Sequence, residues 1–283
     1  MSLLQIAILG ILQGFAELLP VSSSAHVILA QHLMGLNPSA PEMTFLLVML
    51  HTGTMFAVLV YFWKRWKSRV GDKQTFWDFF KKLIIATAAT GILGLSLKIF
   101  IEKVVLEKIF NIEKAEIETL FSILPLIAAS LAVAGILIIY TGRRQLLKNN
   151  NKLTVKSSIW IGLVQGLCLP FRGLSRSGAT ISAALLQGAP FDLAEDFSFA
   201  LAVLLTPPVI VLELRRLQKS QINSEQLMTL VAPGLFGMVI SFIAGLIALR
   251  LLSHWLQGGH WKRFGYYCIF LAFVTLGIHF FNF

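Results

Sequence analysis

Twice in this chain a proline and a run of serines break into apolar sequence: QGFAELLPVSSSAH at Gln13–His26 and QGLCLPFRGLSRSGAT at Gln165–Thr180. Both stretches carry charged side chains inside regions otherwise suited to hydrocarbon. An unsatisfied polar group is costly in lipid, so such stretches must line a protein-enclosed cavity or lie outside the membrane. Composition decides where the rest of the chain lies. It is 56% hydrophobic and 13% charged, against the roughly 25% charged residues of a soluble domain, so an integral membrane protein is expected.

That setting reinterprets the formal net charge of +10. In a soluble chain it would suggest nucleic acid; here it points to basic loops kept on the cytoplasmic side, and no nucleic-acid partner is expected. The first basic residue is Lys64, so no basic leader region and no cleavable signal peptide are expected. Cys168 and Cys268 stand alone in apolar segments and make neither a disulfide framework nor a metal site.

Six segments are long and apolar enough to span a bilayer: Thr44–Trp63, Leu83–Ile101, Leu120–Thr141, Phe197–Leu214, Leu227–Leu252 and Phe264–Phe281. Four shorter pieces remain: Leu3–Leu19, Ser24–Leu36, Ser157–Leu169 and Ser177–Gly188. They pair across the joints at Pro20–Ser23 and Pro170–Ser175, as re-entrant hairpins do. The expected fold is therefore an all-α integral membrane protein, one domain over 1–283, with six transmembrane helices and two re-entrant helical hairpins.

The halves also correspond. Gly10 and Gly162, Gln13 and Gln165, Gly14 and Gly166, and Phe45 and Phe197 share one offset, giving repeats of about 1–141 and 157–283. Each half is a hairpin followed by three spans. An odd number of spans sends the second copy in from the opposite face, which makes an inverted-topology repeat. Basic residues orient it: fifteen lie in Lys64–Lys82, Gly142–Lys156 and Arg250–Arg263, against six in the alternate loops. The first set is read as cytoplasmic, so both termini and the mouth of the first hairpin lie outside. The hairpin tips then meet within the bilayer. Glu102–Glu118 reads as an amphipathic helix at the outer interface.

At the second tip, Gly173, Ser175, Arg176, Ser177 and Thr180 lead into an apolar helix. Glycine admits a close backbone approach, the helix start offers free N–H groups, and the guanidinium presents a fork to oxyanion oxygens. This is a phosphate cradle. Arg172 sits where it can snorkel and is the more dispensable of the two arginines. At the first tip, Gln13 and Glu17 share a helix face, and Ser22, Ser23 and Ser24 open the next helix, with His26 in its first turn. Glu17 can hold a divalent ion or orient a base. His26 or Ser23 can attack phosphorus or activate water, and Arg176 can neutralise transition-state charge. His26 is the favoured nucleophile or general base, because it is needed in both routes, with Ser23 attacking in the alternative. His51, Thr52 and Thr54 either border the cavity or bond their own helix.

These motifs resemble those of the bacitracin-resistance family of undecaprenyl-diphosphate phosphatases, over essentially the whole chain. The family's Glu/Gln-x-x-x-Glu and P-x-S-S-x-x-H are here Gln13, Glu17, Pro20, Ser22, Ser23 and His26. Its P-G-x-S-R-S-x-x-T is Gly173, Ser175, Arg176, Ser177 and Thr180, with Arg172 in place of the usual proline. The resemblance implies hydrolysis of a polyprenyl diphosphate to the monophosphate carrier of cell-wall synthesis, in the bacterial inner membrane, with Mg²⁺ or Ca²⁺. It casts His26, Glu17, Ser23 and Arg176 as catalytic, Glu17 also as metal ligand, and Gln13, Ser22, Gly173, Ser175, Arg176, Ser177 and Thr180 as diphosphate-binding. Gln13 removes one carboxylate and Arg172 alters the rim of the cradle. Pairing into a homodimer stays open. The rival class is a lipid-phosphate or anion transporter, since inverted repeats with broken helices also build transport sites.

Overall fold

A computed structural model of the chain describes residues 1–38, 40–69, 71–109, 120, 123–144, 153–219 and 224–281. Among the described residues the regular structure is helical: α1 (Leu3–Leu18), α2 (Ser23–Leu33), α3 (Pro41–Arg69), α4 (Lys73–Phe100), α5 (Leu124–Arg144), α6 (Val155–Cys168), α7 (Arg176–Leu186), α8 (Phe191–Lys219), α9 (Ser224–Gln257) and α10 (Trp261–Phe280). Helices α3, α4, α5, α8, α9 and α10 are long and apolar enough to cross a membrane. The protein is multi-pass.

The long helices overrun the segments expected from hydropathy because capping and interface residues extend them. Proline at the first position starts α3, where its missing N–H costs nothing. Asp72 caps α4, accepting from the Thr75 amide at 2.8 Å, so that the helix begins ten residues before its apolar run. The Thr75 hydroxyl and amide together hold the exposed Asp72 carboxyl below the ordinary carboxylate range. At its far end α4 widens into a π-helical extension over Ile101–Ile109. It takes in the first residues of Glu102–Glu118, the stretch read as an amphipathic helix at the outer interface. Its described part continues α4 and buries Ile101 and Leu106 against Leu120 and Phe171. Residues 110–119 of that stretch, 145–152 of the second basic loop, and 121–122 at the start of the third expected span lie outside the described residues.

The four short helices are too short to span: α1, the longest, has 16 residues and so about 24 Å of rise against a core of about 30 Å. Helices α2 and α7 each run 11 residues and are followed by glycines in the left-handed region, Gly35 at φ 64° and Gly188 at φ 84°.

Packing crosses the chain rather than following it. The most extensive contacts join α5 to α10, α3 to α9, α1 to α9, and α4 to α6. Small residues make these approaches possible. A Cβ on Gly14 would lie 2.5 Å from the Cβ of Ala244 and 2.7 Å from the Ser241 carbonyl; one on Gly162 would lie 2.2 Å from the Ala86 carbonyl. Thr90 secures the second contact, its hydroxyl donating to the Gly162 carbonyl at 2.9 Å. In the α5–α10 pair, Gly135 and Gly265 each abut the other's carbonyl oxygen. Away from the hairpins, Arg65 of α3 pairs with Glu195 at 2.7 Å and with Asp196, while Ser253 of α9 donates to Glu195 at 2.8 Å. This charged knot ties α3, α8 and α9, and none of its members stands out in the sequence motifs.

Candidate active site

The turn between α1 and α2 is the local structure on which the site depends. Pro20 cannot extend α1. Ser22 then adopts φ 68° and ψ 94°, the only left-handed non-glycine backbone among the described residues. That conformation is disfavoured for a residue with a Cβ, so contacts around it must hold it. Its effect is to turn α2 back so that Ser23 reaches across to Glu17. The Ser23 hydroxyl donates to Glu17 Oε2 at 2.5 Å, and Gln13, one turn before Glu17 on α1, donates its amide N–H to the same oxygen at 3.2 Å.

The other carboxylate oxygen, Oε1, takes Arg176 of the second tip in an ion pair. Two further bonds join the tips. The Gly173 amide donates to Ser24 Oγ at 3.3 Å, and the Ser177 hydroxyl donates to the Leu19 carbonyl at 3.3 Å. Gly173 must be glycine: it has φ 101°, and a Cβ there would lie 2.5 Å from the Ile127 carbonyl. Ser175 caps α7 by accepting from the Gly178 amide at 3.2 Å. Thr180 donates to the Arg176 carbonyl at 2.8 Å and shares a 2.6 Å bond with Ser198 of α8. Ser175 and Thr180 are thus buried struts beneath Arg176. Ser22 is buried too, its hydroxyl 3.3 Å from that of Ser24. Arg172 lies half-buried on the same loop as Gly173.

So Gln13, Glu17, Ser23 and Arg176 come together, and Ser24, Gly173 and Ser177 stitch the tips. His26 does not join them. Its Nδ1 lies 2.8 Å from the Ser22 carbonyl, which can only accept, so Nδ1 carries a proton. Its Nε2 lies 2.7 Å from the hydroxyl of Tyr267 on α10, and the two rings are nearly coplanar. Instead of His26, His51 approaches the carboxylate: its Nδ1 bonds the Leu47 carbonyl at 2.8 Å and its Nε2 lies 3.8 Å from Glu17 Oε2. Both readings of His51 therefore hold at once. A cleft opens beside the cluster, lined by Glu17 and Arg176 with His51, Thr54 and Met55 of α3 and Ala202 and Thr206 of α8.

The α8 wall and Tyr267 escaped the sequence reading. Thr206 is one hydroxyl in an apolar run, and Tyr267 one aromatic in an aromatic-rich helix; neither pattern distinguishes a site residue from an ordinary one. Chemically, the cluster offers a hydroxyl hydrogen-bonded to a carboxylate, beside a guanidinium with donors to spare. In such an arrangement a hydroxyl can be activated for attack and a guanidinium can bind an oxyanion.

The sequence matches the family model described as "Bacitracin resistance protein BacA" over residues 6–274. It is 53% identical over 282 residues to "Undecaprenyl-diphosphatase 2" of Acinetobacter baylyi, covering 98% of each chain. It is 35% identical to "Undecaprenyl-diphosphatase 1" of Burkholderia pseudomallei strain 1106a, covering 98% of this chain and 97% of that one. The "Undecaprenyl-diphosphatase" of Desulfitobacterium hafniense is 31% identical, with 95% of this chain and 93% of that one covered.

Proposed function

The chain belongs to the bacitracin resistance protein BacA family, and on that premise we propose that it hydrolyses undecaprenyl diphosphate to undecaprenyl phosphate and inorganic phosphate, recycling the lipid carrier for cell-wall synthesis. The observation that carries the chemistry is the contact of Ser23, Glu17 and Arg176, drawn from two separate hairpins onto one carboxylate. In this reading the Ser23 oxygen attacks the terminal phosphorus while Glu17 takes its proton. The bond from that phosphorus to the bridging oxygen breaks, and undecaprenyl phosphate leaves. Glu17 passes that proton to the departing phosphate. Water then attacks the phosphoserine while Glu17 takes a proton from it. Glu17 returns this proton to the Ser23 oxygen as the phosphorus–oxygen bond breaks, releasing phosphate and restoring the hydroxyl. Arg176 neutralises the oxygens of the phosphoryl group in flight. His26, favoured as nucleophile or general base because both routes need it, has both ring nitrogens engaged outside the cluster, so Ser23 takes the attacking role here. A transport site for an anion would have no use for a hydroxyl donated to a carboxylate.

A divalent ion fits this donor set in one mode. Among the described residues no three His, Cys, Asp or Glu side chains converge. Magnesium needs only one or two carboxylates when substrate phosphates supply other ligands. Glu17 and the Gln13 side-chain oxygen would hold it, and bound there it would neutralise charge on the diphosphate.

The finer architecture belongs to the same proposal: two re-entrant hairpins in an inverted repeat, repeats about 1–141 and 157–283, with both termini outside the bacterial inner membrane. Its support is the exchange of partners. Gly10 and Gly14 of α1 abut Gly237, Ser241 and Gly245 of α9, and Gly162 and Gly166 of α6 abut Ala86, Thr90 and Gly94 of α4 at matching positions.

The test is phosphate release from undecaprenyl diphosphate by the purified protein, with and without chelator, beside Ser23→Ala and Glu17→Gln. We expect both variants to lose at least ~10²-fold in kcat, and chelator to suppress the wild-type rate. No release by the wild type would end the functional reading; an unimpaired Ser23→Ala would remove serine attack.

A further inference from the structure

Four contacts from the second half of the chain grip the turn at Leu19–Ser24. Ser177 holds the Leu19 carbonyl and Gly173 holds the Ser24 hydroxyl, both from the opposite tip. The other two come from consecutive residues of α10. Cys268 Sγ lies 3.4 Å from the Pro20 carbonyl, and Tyr267 reaches the Ser22 carbonyl through His26. Ser22 is the strained residue of this turn, and among the described residues its carbonyl otherwise receives the long 3.4 Å bond from the His26 amide. The 2.8 Å bond from the imidazole is the shorter hold on it.

We propose that Tyr267 is a positioning residue for the reaction: its hydroxyl fixes the His26 ring, the ring pins the Ser22 carbonyl, and Ser22 thereby aims the Ser23 hydroxyl at Glu17. The proposal rests on Ser23 as the attacking group. Since Nδ1–H faces a carbonyl, the neutral ring has its lone pair on Nε2, where the phenol donates. Without that donor the imidazole can rotate about its side-chain bonds, and its hold on Ser22 weakens. Because Ser22 sits in a disfavoured region, a weakened hold lets the turn relax and moves Ser23 off the carboxylate. Tyr267 touches neither Glu17 nor Arg176, so its effect falls on the attack and not on binding of the diphosphate.

The experiment uses the full-length protein in detergent with undecaprenyl diphosphate. Tyr267→Phe keeps the ring and removes only the hydroxyl. We expect kcat to fall roughly 10- to 100-fold, the scale of a nucleophile displaced by about an ångström, with KM within about twofold. His26→Ala should fall at least as far. The double variant should be no worse than His26→Ala, because both residues act through one carbonyl. His26→Asn, whose amide N–H can occupy the place of Nδ1–H, should recover part of the loss; no nucleophile or base could be replaced in that way. A second readout does not depend on turnover. Alkylation of a Ser23→Cys protein by an uncharged maleimide should speed up severalfold when Tyr267→Phe is added. Wild-type kcat in Tyr267→Phe, multiplicative losses in the double variant, or an unchanged alkylation rate would each overturn the proposal. If Tyr267→Phe does not fold, His26→Asn decides: recovery supports positioning and a dead enzyme refutes it. If the wild type releases no phosphate while alkylation still responds, the assigned reaction falls and the positioning role stands.

Discussion

Arg176 and Arg172 lie four residues apart and differ in consequence. Arg176 meets Glu17 from across the tip interface, and a guanidinium has five donors, so it keeps capacity for phosphate oxygens after pairing with the carboxylate. An ammonium cannot offer a planar fork to two groups at once. Arg176→Lys should therefore cost about 100-fold in kcat/KM, measured as phosphate release, while Arg172→Ala should cost less than about 10-fold. Equal losses would dissolve the distinction. The sequence already showed which residues belong to the two tips, because acid, hydroxyl and guanidinium have no place in hydrocarbon. It did not show which hydroxyl meets which acid. Ser23 and His26 lie one turn apart on α2, and the left-handed backbone of Ser22 sets the direction in which α2 leaves the turn, so that Ser23 at its start meets Glu17 while His26, a turn further on, meets α10. No residue type announces that conformation, since serine is not the residue expected there.

At the level of elements, hydropathy located every long helix and both broken pairs, but not their limits. Caps and aromatic interface residues set those limits, and apolar periodicity does not register them. A shared offset between glycines was legible without disclosing its purpose, which is helix contact. That purpose gives a sign-reversing prediction. Gly→Ala within a helix ordinarily stabilises by about 0.5–1 kcal/mol. At Gly91, where an added Cβ meets nothing within 4 Å, it should do so. At Gly162 the same change would drive a Cβ to 2.2 Å from the Ala86 carbonyl and force α6 off α4, destabilising by roughly 1–3 kcal/mol. Thermal unfolding of Gly91→Ala and Gly162→Ala in detergent should therefore shift in opposite directions. Shifts of one sign would mean that α6 does not approach α4 this closely.

For the whole molecule, the helix packing leaves the orientation in the membrane open. The proposed orientation, argued from fifteen basic residues against six, has the Lys64–Lys82 connection in the cytoplasm. A membrane-impermeant thiol reagent applied to intact cells should leave the exposed position of a Gly71→Cys protein unlabelled, and should label it once the membrane is opened. Ready labelling in intact cells would invert the topology. The partner exchange between halves also has a consequence in time. Helix α1 leaves the ribosome long before α9, against which its glycines seat, is made. Roughly 200 residues intervene, on the order of 10–40 s of synthesis. Arg176 is itself made about 160 residues after Glu17, so for most of that interval the acid and the serines of the first turn lack the guanidinium that later meets them. The first turn must therefore wait in its polar state, at the membrane surface or under the protection of the insertion machinery, until α7 brings its partner.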